Sequence, residues 1–88
     1  MTEEEFGKLS FYLVAHMSLA YVHTRTYADD SGRLGYCVHT RKKKNGDFGR
    51  SYTHYRIDKQ VYKQKEKFLE ALKDFDVNMG VVKTLYGG

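Results

Sequence analysis

The sequence contains no proline, no tryptophan and only one cysteine, Cys37, which excludes an internal disulfide and a proline-rich linker. A lone cysteine forms no internal disulfide, which fits a reducing compartment, so we expect a cytoplasmic protein. A chain without proline is not a proline-rich linker and fits continuous ordered structure. With 88 residues, a chain buries only about 60% of its unfolded surface, so we expect one small domain with a thin core.

Long uncharged stretches are also scarce. The longest segment without Lys, Arg, Asp or Glu runs from Leu9 to Thr24, and it contains two histidines and two serines. It is too short and too polar to span a bilayer. The opening Met-Thr-Glu-Glu-Glu is acidic where a signal peptide is basic, so no export signal is expected. We therefore expect no membrane partner, and a small chain of this kind fits an accessory gene of a phage or plasmid.

Positive charge is concentrated in the middle of the chain. The net charge is +4, but residues 33–67 alone carry eleven Lys and Arg against three acidic residues. The segments on either side, 1–32 and 68–88, are both net acidic. A focused positive field favours an anionic partner, although a solvated lysine-rich surface has the same composition.

Two segments have the pattern of amphipathic helices. Thr2 and Glu5 have the spacing of a capping box. Apolar residues then recur at three- and four-residue steps, as one face of a helix: Phe6, Leu9, Leu13, Met17 and Ala20. This pattern predicts an N-terminal helix from Glu3 to about His16, with a strand beginning at Ser10 as the rival interpretation. Asp58 is a suitable N-cap for a second helix. The inner stripe of that helix is Val61, Lys65, Phe68, Leu72 and Phe75.

Three segments between these helices are rich in β-branched and aromatic residues, which favour strands. They cover residues 21–27, 34–43 and 48–57. Asp30-Ser31-Gly32 predicts a three-residue hairpin loop, and Asn45-Gly46 predicts a two-residue type I′ turn. Short turns between successive strands indicate an antiparallel meander.

Together these segments predict a small two-layer α+β domain with the order α-β-β-β-α. Both helices are expected to cover one face of a three-stranded antiparallel meander. We expect a single domain over residues 1–88. Its parts are an N-terminal helix within 1–16, the sheet within 19–57, a helix over 58–76, and a tail or short edge strand over 77–88.

The three predicted strands share a His-x-Arg repeat. Its members are His23 and Arg25, His39 and Arg41, and His54 and Arg56. Side chains two residues apart in a strand lie on the same face. Each strand therefore presents one histidine and one arginine on the same side of the sheet.

The predicted turns set the registers between these strands. They place His23 opposite His39, His39 opposite Tyr52, and Arg41 opposite Arg50, with every member of the repeat on one face. A first loop longer or shorter by one residue would invert the first strand and turn its histidine and arginine towards the helices. The cost of burying an unpaired arginine argues for the register with a common face.

A sheet face of arginine, histidine and tyrosine suits nucleic acid. Arginine forks match phosphate oxygens, tyrosine rings stack on bases, and a lysine run attracts the backbone. We therefore predict a module that binds DNA or RNA, and we expect the histidines to make binding tighten as the pH falls towards about 6. The predicted contact residues are Tyr21, Arg25, His39, Arg41, Lys42, Lys43, Lys44, Arg50, Tyr52, His54 and Arg56.

Two other functions fit the same residues. A small phage-type inhibitor or interaction protein would bind a nucleic-acid-handling protein complex, with tyrosines and arginines as anchors. A metal-independent ribonuclease would shuttle protons with His23 and His39, while Arg25 and Arg41 stabilise the developing phosphorane charge. Because the predicted face has no acidic residue to orient a base, binding is favoured over catalysis.

Metal ions and cofactors are not predicted. His23, His39, His54 and Cys37 lie on neighbouring predicted strands, but their spacing matches none of the usual zinc signatures. The arginines beside them would also repel a divalent cation.

Overall fold

The computed structural model describes residues 1–75, which contain two helices and five strands. Helix α1 spans Glu3–Gly7 and helix α2 spans Lys65–Lys73. The strands are β1 Tyr12–Ser18, β2 Val22–Ala28, β3 Leu34–Lys42, β4 Phe48–Ile57 and β5 Gln60–Tyr62. They form one open antiparallel sheet in the order β1-β2-β3-β4-β5. The α+β class is confirmed, with five strands where three were predicted.

The capping box is present, but the helix that it starts is short. The Thr2 hydroxyl accepts a hydrogen bond from the Glu5 N–H at 3.1 Å, and the Glu5 carboxylate accepts one from the Thr2 N–H at 3.0 Å. Phe6 is buried in the core, and α1 ends one residue later, at Gly7. Neither α1 nor α2 has the length or apolarity that a membrane-crossing helix needs.

The predicted continuation of the first helix to His16 is wrong, because those residues form β1 and pair with β2. Leu13 and Met17, which the helical pattern assigned to a buried stripe, are 53% and 57% exposed. An amphipathic stripe stabilises a helix only when a core receives it. Here the pairing with β2 satisfies the backbone hydrogen bonds instead.

The predicted N-cap at Asp58 is also wrong. Asp58 lies at φ 51° in the tight turn that joins β4 to β5, where Ile57 pairs with Gln60. Its carboxylate accepts two hydrogen bonds from the Arg33 guanidinium, at 2.7 and 3.0 Å. Helix α2 therefore starts only at Lys65, after β5. The end of the predicted helix and the predicted tail over 77–88 lie outside the described residues.

Both helices pack on the same side of the sheet, which we call the helix face. The buried apolar core consists of Phe6, Leu34, Ile57, Phe68, Leu72 and Phe75. The Phe68 ring lies 5.0 Å from the Phe6 ring and 4.6 Å from the ring of Tyr55 on β4. These contacts lie where β3 begins and β4 ends. The other end of the sheet, beside the β3–β4 hairpin, projects away from this core.

Between Leu34 and Thr40, the β3–β4 register is the predicted one. His39 lies opposite Tyr52, and Cys37 lies opposite His54. These pairs place the three rings on the side of the sheet away from α1 and α2, which we call the open face.

The hairpin between β3 and β4 differs from the predicted type I′ turn. The Lys43 N–H donates to the Asp47 carbonyl at 2.8 Å, so the loop has three residues instead of two. A bulge beyond Thr40 compensates for the extra residue and restores the predicted register deeper in the sheet. The same bulge replaces the predicted direct pair of Arg41 and Arg50.

The β2–β3 register is shifted by one residue from the prediction. Thr24, and not His23, lies opposite His39. The first hairpin is the cause: the Asp29 N–H donates to the Leu34 carbonyl at 3.0 Å, which closes a four-residue loop instead of a three-residue one. The Asp29 carboxylate also accepts from the Leu34 N–H at 3.2 Å. Because strand side chains alternate, β2 is inverted relative to the prediction.

Candidate nucleic-acid interface

The inversion of β2 divides the predicted His/Arg face between the two sides of the sheet. The open face keeps His39, Arg41, Arg50, Tyr52, His54 and Arg56. His23 and Arg25 lie on the helix face, so the prediction of one common face is wrong. Tyr21 precedes β2, is 82% exposed, and offers its carbonyl to the Lys42 N–H. The helices cover only the far end of the helix face, so Arg25 is accommodated there while only partly buried.

The predicted catalytic pair of the ribonuclease is separated by the same inversion. His23 and His39 lie on opposite faces, and Arg25 and Arg41 are divided in the same way. Proton shuttling needs both imidazoles within reach of one substrate. This pair therefore does not form a ribonuclease site.

Three aromatic side chains pack together on the open face, and we call His39, Tyr52 and His54 the ring cluster. The His39 ring centroid lies 4.9 Å from that of Tyr52, with the planes 19° apart, and 4.7 Å from that of His54. The Thr24 hydroxyl lies 2.9 Å from His39 Nδ1 and orients the imidazole. Burial, together with the nearby His54, lowers the pKa of His39 below its usual value. Tyr52 keeps 45% of its surface exposed.

The segment 41–50, which we call the basic hairpin, adjoins the ring cluster. Its cations are Arg41, Lys42, Lys43, Lys44 and Arg50, and its one acidic residue is Asp47. The Asp47 carboxylate accepts a hydrogen bond from the Asn45 amide at 3.0 Å. Within residues 1–75, the ion pairs use cations outside this segment. Within the described residues, the positive charge of the hairpin is therefore not neutralised by ion pairs, and the Lys42 ammonium donates to the Ser18 hydroxyl.

The inverted β2 contributes to a pocket at the same end of the sheet, on the helix face. This pocket has a volume of about 420 Å³ and is lined by His23, Arg25, Thr40, Phe48, Gly49 and Ser51. Within the described part of the chain, Arg25 Nε is buried without a hydrogen-bond partner. The Phe48 ring is 62% exposed and lies 6.1 Å from the His23 ring. The pocket thus offers a cation and a flat ring together.

Four of the pocket residues were not predicted from the sequence: Thr40, Phe48, Gly49 and Ser51. The Thr40 and Ser51 hydroxyls lie 2.8 Å apart across β3 and β4. In a sequence, a polar residue within a strand does not by itself indicate that its side chain lines a pocket. Only the true β2 register brings Arg25 to the side of the sheet where these hydroxyls lie.

The chain matches no protein-family model, no curated protein and no solved structure.

Arg56 remains on the open face but lies at the end away from the basic hairpin. Its guanidinium donates to the Asp58 carbonyl at 2.6 Å and to the Gly32 carbonyl at 3.0 Å. These bonds join two turns of the sheet. Arg56 therefore has a structural role, and we leave it out of the candidate interface.

Potential metal ligands are dispersed in the described residues. Within residues 1–75, no three His, Cys, Asp or Glu side chains are arranged to hold a metal ion. The Cys37 thiol lies 3.4 Å from the Thr26 hydroxyl on the open face.

Proposed function

We propose that the protein binds single-stranded nucleic acid at the hairpin end of its sheet. The observation that carries the proposal is the placement of the ring cluster beside Arg41 and Arg50 on the open face. Arg41 lies two residues from His39 along β3, and Arg50 lies two residues from Tyr52 along β4. An exposed ring takes a stacked base and an arginine fork takes a phosphate, so adjacent parts of one nucleotide strand fit this surface.

Charge supports the same conclusion. Arg41 on β3 and Arg50 on β4 lie beside the bulge without forming a direct pair, and like charges on neighbouring strands repel each other. A phosphate between them removes the repulsion. Lys43 and Lys44 at the tip of the hairpin extend the positive field along the backbone of a bound strand.

The pocket on the helix face supports a second contact with the same strand. Within residues 1–75, Arg25 has a buried Nε that lacks a partner, and an anion bound at its guanidinium supplies a hydrogen-bond acceptor there. The exposed ring of Phe48 offers a second stacking surface. A strand that crosses the hairpin tip thus meets a cation and a ring on each side of the sheet.

Fluorescence anisotropy with labelled single-stranded DNA and RNA, measured over a range of salt concentrations, tests the proposal. Each phosphate contact on a single strand contributes about 0.7 to the slope of log affinity against log salt. We expect Lys43→Gln with Lys44→Gln to lower that slope by about 1.4. The matched control is Lys59→Gln with Lys63→Gln, which removes the same charge near the helix-covered end.

The outcome is decisive in either direction. Absence of binding to both DNA and RNA at low salt would overturn the proposal. An equal change of slope in the hairpin and control variants would show that the attraction is unspecific and does not reside in the basic hairpin. If unlabelled duplexes compete for binding as strongly as unlabelled single strands do, base stacking on Tyr52 is contradicted.

A further inference from the structure

Strand β1 forms an edge of the sheet and is exposed along its whole length. All seven residues of Tyr12–Ser18 are exposed, and within residues 1–75 strand β1 pairs on one side only, with β2. The exposed fractions of its large apolar side chains are 53% for Tyr12, 53% for Leu13, 61% for Val14 and 57% for Met17. A free edge of this length with apolar side chains is a template for pairing with another strand.

The opposite edge of the sheet has features that discourage pairing. Strand β5 spans only Gln60–Tyr62, and Lys59 and Lys63 flank it. Short edge strands and lysines are the usual protection against edge-to-edge association. By contrast, β1 lies within the uncharged segment Leu9–Thr24. The feature of β1 that discourages edge-to-edge pairing is a bulge between Leu13 and Ala15, and the rest of the strand is regular.

We infer that β1 pairs in antiparallel fashion with β1 of a second copy of this chain. Two molecules that each carry a net charge of +4 repel one another. Contact through the uncharged β1 edges brings no like charges opposite each other, so this edge is the surface at which two copies associate at the lowest electrostatic cost. Antiparallel pairing of identical strands obeys twofold symmetry, so both copies use the same donors and acceptors. The partner strand is then as apolar and uncharged as the edge that it covers.

The symmetry has a structural consequence. A twofold axis that relates antiparallel strands of one sheet is perpendicular to that sheet, so the two copies form a continuous sheet with both open faces on the same side. If the proposed function holds, the two ring clusters then engage one nucleotide strand together. The pairing itself does not depend on nucleic acid.

Light scattering and sedimentation of the full chain, without nucleic acid, test the pairing. We expect the wild-type protein to reach the mass of two copies as its concentration rises. Met17→Lys introduces a charge at an exposed position of β1 and is expected to weaken the dimer at least tenfold. Val61→Lys is the matched control, because Val61 is 51% exposed and lies on β5, the other edge strand. Circular dichroism checks that both variants are folded.

Amide hydrogen exchange of the wild-type protein gives an independent measurement. The β1 amides are expected to exchange more slowly as protein concentration rises, while those of β5 do not change. A wild-type protein that stays monomeric at every concentration overturns the inference. Equal weakening by Met17→Lys and Val61→Lys overturns it too, as does growth into open-ended polymers. None of these results depends on whether the protein binds an oligonucleotide.

Discussion

His39 stacks on Tyr52 across β3 and β4, with ring centroids 4.9 Å apart and planes 19° from parallel. The contact holds Tyr52 in one orientation while 45% of its surface stays exposed. A ring that is already fixed loses little conformational entropy when a base stacks on it.

Replacing Tyr52 tests the stacking surface. Tyr52→Leu is expected to lower affinity for single-stranded oligonucleotides by about 5- to 150-fold, because one stacked base contributes about 1–3 kcal/mol. The salt slope should not change, since no charge is removed. Tyr52→Phe keeps the ring and should bind like the wild type. Anisotropy at one salt concentration measures all three proteins, and a leucine variant with unchanged affinity would remove Tyr52 from the interface.

The lowered pKa of His39 predicts how stability depends on pH. Burial lowers the pKa in the folded state, so the unfolded chain takes up the proton first as the pH falls. Stability is therefore expected to decrease below the usual histidine value near 6.5, and His39→Gln should reduce this decrease. Urea melts from about pH 7.5 to about pH 5 compare the two proteins. Identical pH profiles would contradict the assignment to His39.

Nucleic-acid affinity should have the opposite pH dependence at the same residue. A phosphate near the imidazole raises its pKa, so binding draws a proton onto His39 and tightens as the pH falls. In the His39→Gln variant, this part of the pH dependence should disappear. NMR titration of the imidazole with and without oligonucleotide measures the shift directly, and an unchanged titration would place the phosphates elsewhere.

Arg33 and Asp58 join the first hairpin to the β4–β5 turn. Because Asp58 is 51% exposed at its side chain, we expect a coupling of about 1 kcal/mol or less in a double-mutant cycle of Arg33→Gln and Asp58→Asn. Asparagine also tolerates the left-handed backbone at this position. The hydrogen bond from Arg33 lowers the pKa of Asp58, so the stabilisation should be lost as the pH falls through that lowered value. Urea melts measure the coupling, and a value of zero would mean that the pair adds nothing.

Gly35 and Gly7 form a matched pair for substitution by alanine. A Cβ at Gly35 would overlap the Tyr27 carbonyl oxygen on β2, whereas a Cβ at Gly7 meets nothing within 4 Å. Gly35→Ala is expected to lower the free energy of unfolding by about 1–3 kcal/mol, because the backbone must move. Gly7→Ala should change it by less than about 1 kcal/mol. Similar denaturation midpoints for the two variants would contradict the close approach of β2 and β3.

Features that depend on neighbouring residues were predictable from the sequence. The capping box of Thr2 and Glu5 and the bounds of β4 both follow from a few consecutive residues. The pairing of His39 with Tyr52 was also predicted, although the hairpin has three residues instead of two and a bulge restores the register. These features were enough to predict the α+β class and the part of the candidate interface that lies on β3 and β4.

The tertiary structure decided the remaining features. The residues of β1 have a helical apolar pattern, but in the described part of the chain they lie away from the buried core and pair with β2, which makes them a strand. Each hairpin loop is one residue longer than predicted; a bulge corrects the second, but nothing corrects the first. Because strand side chains alternate with a period of two residues, that single residue moves His23 and Arg25 to the other side of the sheet. Arg33 in the first hairpin loop also bonds Asp58, 25 residues further along the chain, and local sequence does not specify a contact over that separation.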